Sequence, residues 1–457
     1  MAVDRSFHHR PPEARRAEGR EARKALPRSI HGRWTPAADR PDPIALLKGQ
    51  DGGRQADLVP IRWGRMSASP FAFYRGSASL MAADLAPLPR TGLQVQLCGD
   101  AHLSNFGLYA SPERALLFGV NDFDETLPGP FEWDLKRLTA SFVLAARNNG
   151  FAEEAARAAA VAAMRSYREH MAEYADMREL DVWYSRVVAE DLLELARTHS
   201  RFTAKIAQKD VAKARGRDSL RAAGRLTESV DGRQRFVERP PLITHPDELA
   251  ETDTVHRLFH QYTRTLVDDR RELAQRFDVI DVARKVVGVG SVGTRCHVVL
   301  LKGRDESDPL ILQFKEAGPS VLEPYIGKSA FAHAGHRVVA GQRLMQAASD
   351  IFLGWMTGPA GRHYYWRQLH DMKGSLEVET LDPAGLELYA KACGWTLARG
   401  HARSGRRIAI AAYLGVGDRF DQAVADFATA YANQAEKDFA AVTKAIKRGK
   451  IAAESGV

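Results

Sequence analysis

A block of short strands lies between two long helical stretches, and this arrangement constrains the fold more than any other feature. Within residues 282–369 the aliphatic and β-branched runs are short and are separated by Gly or Asp/Pro turns. On either side, apolar residues recur at helical spacing over 131–200 and 383–447. The sequence therefore predicts an α+β fold in which helices from both ends of the chain flank a small antiparallel sheet.

We expect the 457 residues to divide into four segments. The first is rich in Arg, Pro and Ala without a sustained periodicity, which is typical of a flexible basic arm. The predicted segments are the arm at 1–45, a helical lobe at 46–280, a small strand-rich lobe at 281–375, and helices at 376–457 that return to the helical lobe.

The net charge of +8 is concentrated in two places. Residues 1–40 contain ten Lys or Arg against five Asp or Glu, and residues 201–239 contain eleven against five. The rest of the chain is slightly acidic, so we do not predict a nucleic-acid-binding surface beyond an accessory role for these two segments. A small anionic ligand fits this distribution better than a polyanion.

The sequence also indicates the compartment. No uncharged apolar run reaches the roughly 18 residues that a membrane helix needs, and the Arg-rich N-terminus lacks the apolar stretch of a secretion signal. Cys98, Cys296 and Cys393 are odd in number and far apart, which does not suggest a disulfide framework. We therefore expect a soluble cytoplasmic protein.

A glycine-rich turn joins two of the predicted strands, from Gly288 to Gly293. A Rossmann fingerprint would instead open a helix. In kinases such a turn lays backbone amides over nucleotide phosphates, although glycine hairpins are also common as plain turns. Lys315, at the end of the apolar strand 310–314, needs an anionic partner, and ATP phosphates would supply one. The candidate nucleotide-binding residues are Gly288, Gly290, Ser291, Gly293 and Lys315.

Two polar loops follow predicted strands in the first half of the chain. Asp100 and Asn105 lie five residues apart in one loop, and Asp122 and Asp124 follow the next strand. In phosphoryl transfer an Asp accepts the hydroxyl proton and an Asn five residues later holds Mg²⁺. We therefore predict Asp100 as the base and Asn105 and Asp122 as Mg²⁺ ligands, with Asp124 supporting that ion or binding a second one. The alternative is two turns in which Asp acts as a cap.

These loops resemble the aminoglycoside phosphotransferase and choline kinase branch of the protein-kinase-like superfamily. The loop from Gly99 to Asn105 is similar to its catalytic loop, and Asn121-Asp122-Phe123 is similar to its metal-binding strand end. Pro128 to Arg137 resembles the segment whose Asp, here Asp134, braces the catalytic loop. The resemblance implies a two-lobed fold, ATP and Mg²⁺ as cofactors and a small-molecule acceptor, with His102 orienting the loop.

The chain also resembles the DUF2252 family of bacterial proteins over about residues 60–445. This family has no established activity, so the resemblance implies none. In kinases the glycine turn and the strand lysine precede the catalytic loop, whereas here Asp100 and Asp122 come first. We therefore predict a circularly permuted kinase-like fold, with a large helical lobe and a small antiparallel-sheet lobe. Permutation keeps the core contacts when it opens an exposed connection.

The acidic partner of Lys315 departs from the kinase pattern. Kinases hold this lysine with a helix glutamate, but the predicted helix 333–348 contains no acidic residue. We predict Glu323 as the partner. For Arg75 and Arg137 we expect pairing with Asp134 or Glu132, and the alternative is binding of a phosphoryl group or an acidic substrate.

The most direct interpretation is an ATP- and Mg²⁺-dependent phosphotransferase that acts on the hydroxyl of a small molecule. A nucleotide-binding pseudokinase without chemistry is the alternative from another class. Metal-dependent phosphoester hydrolysis is a third, because Gly99-Asp100-Ala101-His102 also resembles the start of metallophosphatase sites. That hypothesis requires a later Asn-His-Glu/Asp segment, which the sequence lacks.

Overall fold

The computed structural model describes residues 9–199, 201–217, 219–245, 252–369 and 371–456. Over these residues the fold is α+β, as the sequence predicts. The helices are α1 Pro12–Ala25, α2 Pro43–Gly49, α3 Val59–Met66, α4 Pro70–Arg75, α5 Ala78–Leu85, α6 Phe131–Asn148, α7 Glu153–Asp176, α8 Glu179–Tyr184, α9 Ala189–His199, α10 Arg201–Arg215, α11 Ser219–Leu226, α12 Thr252–Thr263, α13 Asp268–Ala274, α14 Glu323–Ile326, α15 Ala334–Met345, α16 Pro383–Ser404, α17 Arg407–Leu414 and α18 Arg419–Lys447. The strands are β1 Gln94–Leu97, β2 Phe106–Ala110, β3 Leu116–Val120, β4 Leu127–Pro130, β5 Thr227–Val230, β6 Arg233–Phe236, β7 Ile243–Thr244, β8 Asp278–Lys285, β9 Cys296–Lys302, β10 Pro309–Glu316, β11 Gly354–Thr357 and β12 His363–Gln368.

One antiparallel sheet of six strands contains most of the predicted strand block, in the order β11-β12-β10-β9-β8-β7. The central strand β10 pairs with β9 and β12, so that Lys315 lies opposite Cys296 on one side and Tyr365 on the other. Residues 286–295, called the glycine loop from here on, connect β8 to β9. The glycine motif therefore joins two antiparallel strands, as predicted.

The two faces of this sheet differ because alternate residues of a strand point to opposite sides. On β10, Leu310, Leu312 and Phe314 pack in an apolar core with α12. Ile311 lies in a second core, which includes residues of α11. Lys315 has the same parity as Ile311 and therefore projects from that second face.

The largest apolar core belongs to the helices. Residues of α6, α7, α16 and α18 pack together and surround the two-stranded sheet β1–β4 and the hairpin β2–β3. Residues 98–105, called the Asp100 loop, follow β1, and residues 121–126, called the Asp122 loop, follow β3. Both loops therefore leave strands that are buried in the helical core. None of the described helices combines the length with the apolar composition that a membrane span requires.

The N-terminal segment is folded, which corrects the prediction of a flexible arm at 1–45 for its described part. Helix α1 packs on α17, and Arg40 bridges two buried carboxylates. Its guanidinium donates to Asp84 at 2.7 and 2.9 Å and to Asp438 at 2.9 and 2.7 Å. Polar contacts with distant parts of the chain leave no apolar periodicity in the sequence. The sequence pattern therefore did not reveal that this segment is folded.

The predicted boundary between lobes at residue 280 is too late. Helices α11 and α12 lie before it, yet they pack on opposite faces of the six-stranded sheet. The short strand β7 extends the edge of the same sheet. Two helices, α12 and α13, lead from this edge into β8. An amphipathic pattern identifies a buried face but not the element that covers it.

Candidate active site

A polar cleft lies where the sheet meets the helical core. The glycine loop lines one part, the Asp100 and Asp122 loops line another, and the turn from α4 into α5 lines a third. Eight of the predicted site residues line this cleft together: Asp100, His102, Asn105, Asp122, Asp124, Gly288, Gly290 and Ser291. The acidic loops and the glycine loop, which are far apart in the sequence, therefore line the same cavity.

The second residue of the Asp100 loop is a glycine that no other residue could replace without strain. Gly99 has a φ of +88°, in the left-handed region. A Cβ atom at this position would lie 2.2 Å from the carbonyl oxygen of Glu125. This close approach brings the backbone of the Asp100 loop directly against that of the Asp122 loop.

Asp134 fixes the start of the same loop from the first turn of α6. Its Oδ2 accepts a hydrogen bond from the amide of Cys98 at 2.8 Å, and its Oδ1 accepts one from the amide of Gly99 at 3.0 Å. The Nε2 atom of His401, on α16, lies 3.2 Å from Oδ2. These contacts tie the start of the Asp100 loop to α6 and α16.

Asp100 carries a charged partner on α6. The Nε of Arg137 donates to its Oδ1 at 2.8 Å, which corrects the expected pairing of Arg137 with Asp134 or Glu132. Burial raises the pKa of the Asp100 carboxyl, and the Arg137 charge opposes that rise. The Nε2 of His102 lies 3.8 Å from Oδ2 of Asp100, which is too far for a hydrogen bond. Burial lowers the pKa of His102 well below its usual value, so this imidazole is neutral.

The predicted metal ligands Asn105 and Asp122 are oxygen donors in the cleft. The Nδ2 of Asn105 donates to the carbonyl of Asp100 at 2.8 Å, which leaves its Oδ1 as the ligand atom. Asp122 accepts from the amide of Asp124 at 3.2 Å. Burial and the negative charge of Asp124 raise the pKa of the Asp122 carboxyl. A bound cation would relieve this unfavourable charge.

These donors fit Mg²⁺ better than a metal held by protein alone. Within the described ranges, no three His, Cys, Asp or Glu side chains are grouped so that they could hold a metal ion. Mg²⁺ commonly uses one or two protein ligands together with substrate phosphates and water. Asn105 and Asp122 could supply two oxygen ligands of this kind.

Lys315 connects the sheet to the Asp122 loop. Its Nζ forms an ion pair with Asp124 and donates to the Oγ of Ser291, in the glycine loop, at 2.6 Å. Tyr365, on the neighbouring strand, donates to the other oxygen of Asp124 at 2.8 Å. Lys315 is only 2% exposed, and the carboxylates of the Asp122 loop raise its pKa above the ordinary value. It therefore stays positively charged.

The predicted pairing of Lys315 with Glu323 is corrected by these contacts. Glu323 begins the short helix α14, and its Oε1 accepts from the amide of Ser320 at 3.1 Å. Glu323 therefore caps its own turn, and Asp124 is the carboxylate that pairs with Lys315. Helix α15, which lacks acidic residues, instead contributes Arg337, whose guanidinium donates to the carbonyls of Thr126 and Asp124 at 2.7 and 2.8 Å.

The glycine loop is held by residues from the N-terminal part of the chain. Arg54 donates to the carbonyl of Gly290 at 2.9 Å and also to that of Val292. The amide of Gln55 donates to the carbonyl of Gly293 at 2.7 Å. Gly293 therefore anchors the loop through its backbone and does not line the cleft with the other glycines. The carbonyl groups of Gly290, Val292 and Gly293 are therefore already hydrogen-bonded within the protein.

The comparisons with known proteins identify a family. Residues 54–445 match the family described as "Uncharacterized protein conserved in bacteria (DUF2252)". The chain belongs to the DUF2252 family. Neither the curated proteins nor the solved structures contain a match to it. The matched range of this DUF2252 protein includes the glycine loop, both acidic loops and Lys315.

Sequence reasoning missed several residues at the site of this DUF2252 protein. Arg54, Ser79 and Glu125 line the cleft, and Tyr365 holds Asp124. Arg54 and Ser79 lie in segments without a chemical motif, so no local signal marks them. No period-2 alternation marks Tyr365 either, because Tyr364, Tyr365 and Trp366 are buried in succession, and its position opposite Lys315 depends on the strand register.

We predict that Asp134→Ala lowers the free energy of unfolding by about 3 kcal/mol, because two buried amides lose charge-assisted hydrogen bonds. Chemical denaturation measures this change. Glu153→Ala is the control, since it removes an acid from an exposed pair with Arg147 and should change stability by less than about 1 kcal/mol. Equal effects of the two variants would contradict the assigned role of Asp134.

Proposed function

We propose that this protein is an ATP- and Mg²⁺-dependent phosphotransferase with a circularly permuted kinase-like fold, acting on a hydroxyl of a small molecule. The observation that carries the proposal is the contact of Lys315 with Asp124. These residues are 191 positions apart in the sequence, and each belongs to a segment that resembles part of a kinase site. Their contact at the edge of the cleft supports the permuted order of the lobes.

The nucleotide phosphates would lie under the glycine loop. Gly288 and Gly290 line the cleft and allow a close approach to the backbone, and Ser291 adds a hydroxyl. Lys315 already contacts Ser291 at 2.6 Å, so its ammonium group is next to this loop. In the complex Lys315 would divide its hydrogen bonds between Asp124 and a phosphate, since an ammonium has three donors.

Asn105 and Asp122 would hold the metal through their side-chain oxygen atoms, and Asp124 lines the same part of the cleft. Bound Mg²⁺ supplies neutralisation of the charge on the β- and γ-phosphate oxygens. Asp122 would then lose the unfavourable charge that raises its pKa.

Asp100 would accept the proton of the acceptor hydroxyl. As that oxygen forms a bond to the γ-phosphorus, the bond from this phosphorus to the β–γ bridging oxygen breaks, and ADP leaves with the electron pair. Arg137 holds the Asp100 carboxylate in position, and Asp134 holds the loop that carries it. A positioned carboxylate contributes roughly 10²- to 10⁴-fold to such a step.

A nucleotide-binding pseudokinase is the second candidate. The ion pair between Arg137 and Asp100 favours it, because the guanidinium stabilises the carboxylate that would otherwise accept a proton. Both candidates bind Mg-ATP in the same cleft, and only the first transfers a phosphoryl group. Two experiments therefore separate binding from chemistry.

The binding experiment is thermal unfolding with and without Mg-ATP. At a ligand concentration 100 times Kd, binding stabilises a protein by about 2.7 kcal/mol, so the wild type should show a clear rise in Tm. We expect Asp122→Ala to lose the part of this rise that depends on Mg²⁺. Asp305→Ala, in an exposed turn of the sheet, is the control and should keep it. A full Mg²⁺-dependent rise in Asp122→Ala would exclude the metal assignment.

The chemistry experiment compares the wild type with Asp100→Asn. We expect the wild type to release ADP from Mg-ATP in the presence of a mixture of small hydroxyl compounds, and Asp100→Asn to release it at least 100 times more slowly. The Tm rise with Mg-ATP should be the same in both. A Tm rise without any ADP release by the wild type would favour the pseudokinase.

A further inference from the structure

The N-terminus of helix α5 opens onto the cleft beside the Asp100 loop. Ala78 and Ser79, its first residues, both line the cavity. The preceding Ser77 does not cap the helix, because its hydroxyl donates to the carbonyl of Tyr74 at 3.0 Å. In this first turn the amide of Leu80 donates to the carbonyl of Ser77 at 3.1 Å, whereas the structure shows no backbone partner among the described residues for the amides of Ala78 and Ser79. The helix dipole makes this end attractive to an anion.

Ser79 is a second and independent sign of a ligand. It is only 7% exposed, and its Oγ is buried without a hydrogen-bond partner among the described residues. A buried hydroxyl that forms no hydrogen bond is energetically unfavourable. A ligand that accepts a hydrogen bond at this position would remove that cost.

Arg75 supplies a positive charge at the same place. It is the last residue of α4, it lines the cleft, and the structure shows no hydrogen bond or ion pair for its guanidinium within the described chain. Its nearest aromatic contact is Phe71, at 6.0 Å from the ring centre. Arg137 differs, because it donates to Asp100 at 2.8 Å and to the carbonyl of Tyr74 at 2.6 Å. Arg75 is thus available to a ligand.

We propose that the guanidinium of Arg75, the hydroxyl of Ser79 and the backbone amides of Ala78 and Ser79 form an anion subsite next to Asp100. The assignment of this anion to the acceptor rests on the proposed phosphotransferase function. The acceptor would then be a small compound that carries a phosphate or carboxylate group in addition to the hydroxyl. Arginine and helix amides recognise both kinds of anion.

The acceptor is a better source of this anion than the nucleotide. The nucleotide phosphates have Lys315, the glycine-loop amides and the metal site at Asn105 and Asp122. Arg54 also lines the cleft, but it is engaged with the carbonyls of the glycine loop. Arg75, in contrast, interacts electrostatically with Asp100, the residue that would face the acceptor hydroxyl.

The test is calorimetric binding of inorganic phosphate to the full-length protein, first alone and then with saturating Mg-ADP. We expect phosphate to bind in both conditions. Arg75→Met should weaken phosphate binding at least tenfold, and Ser79→Ala about threefold or more, with the affinity for Mg-ADP unchanged. Arg304→Met, in an exposed turn of the sheet, should leave both affinities unchanged. Ser79→Ala removes only an unpartnered hydroxyl, so this variant is expected to fold.

Three results would overturn the inference. Phosphate could fail to bind the wild type, or it could bind Arg75→Met and Ser79→Ala as well as the wild type. It could also bind with Mg-ADP but be displaced by a non-hydrolysable ATP analogue, which would assign the anion to the γ-phosphate and not to the acceptor. Phosphate binding without any binding of Mg-ATP would instead contradict the proposed function while leaving the subsite intact.

Discussion

The ion pair between Lys315 and Asp124 is the interaction on which the site depends. Lys315 lies on the central strand of the sheet, and Asp124 follows a strand of the helical core, so the pair joins the two parts of the molecule. A buried charge that loses its partner costs several kcal/mol, which makes this contact a strong constraint on how the parts meet. Tyr365 reinforces it through the second oxygen of Asp124. The remaining cleft residues are arranged around this point.

The acidic loops are themselves fixed by distant parts of the chain. Gly99 touches the backbone of Glu125, while Asp134 binds the amides that begin the Asp100 loop. His401 reaches Asp134 from α16, so the C-terminal helices support a loop near residue 100. Such support from both chain ends is expected if the order of elements is permuted and the core contacts are kept. The proposed permutation therefore accounts for why the first and last segments pack together.

The sequence predicted individual strands and loops better than the contacts between residues that are far apart in the chain. The strands of the sheet, the glycine turn and the two acidic loops follow from short-range patterns, and they lie near the expected positions. The partner of Lys315 did not follow, because Glu323 is close in sequence whereas Asp124 is close only after folding. The same limit explains why α12 was assigned to the helical lobe although it covers the sheet. The anchors of the glycine loop, such as Arg54, carry no motif at all.

We propose that one nucleotide site forms from segments that lie far apart in the chain, and a crystal structure with Mg²⁺ and a non-hydrolysable ATP analogue would show where the nucleotide binds. We expect the phosphates between the glycine loop and the Asp122 loop, the metal on Asn105 and Asp122, and Lys315 within hydrogen-bond distance of a phosphate oxygen. A nucleotide bound outside this cleft, or phosphates that contact neither Lys315 nor the metal ligands, would contradict the account.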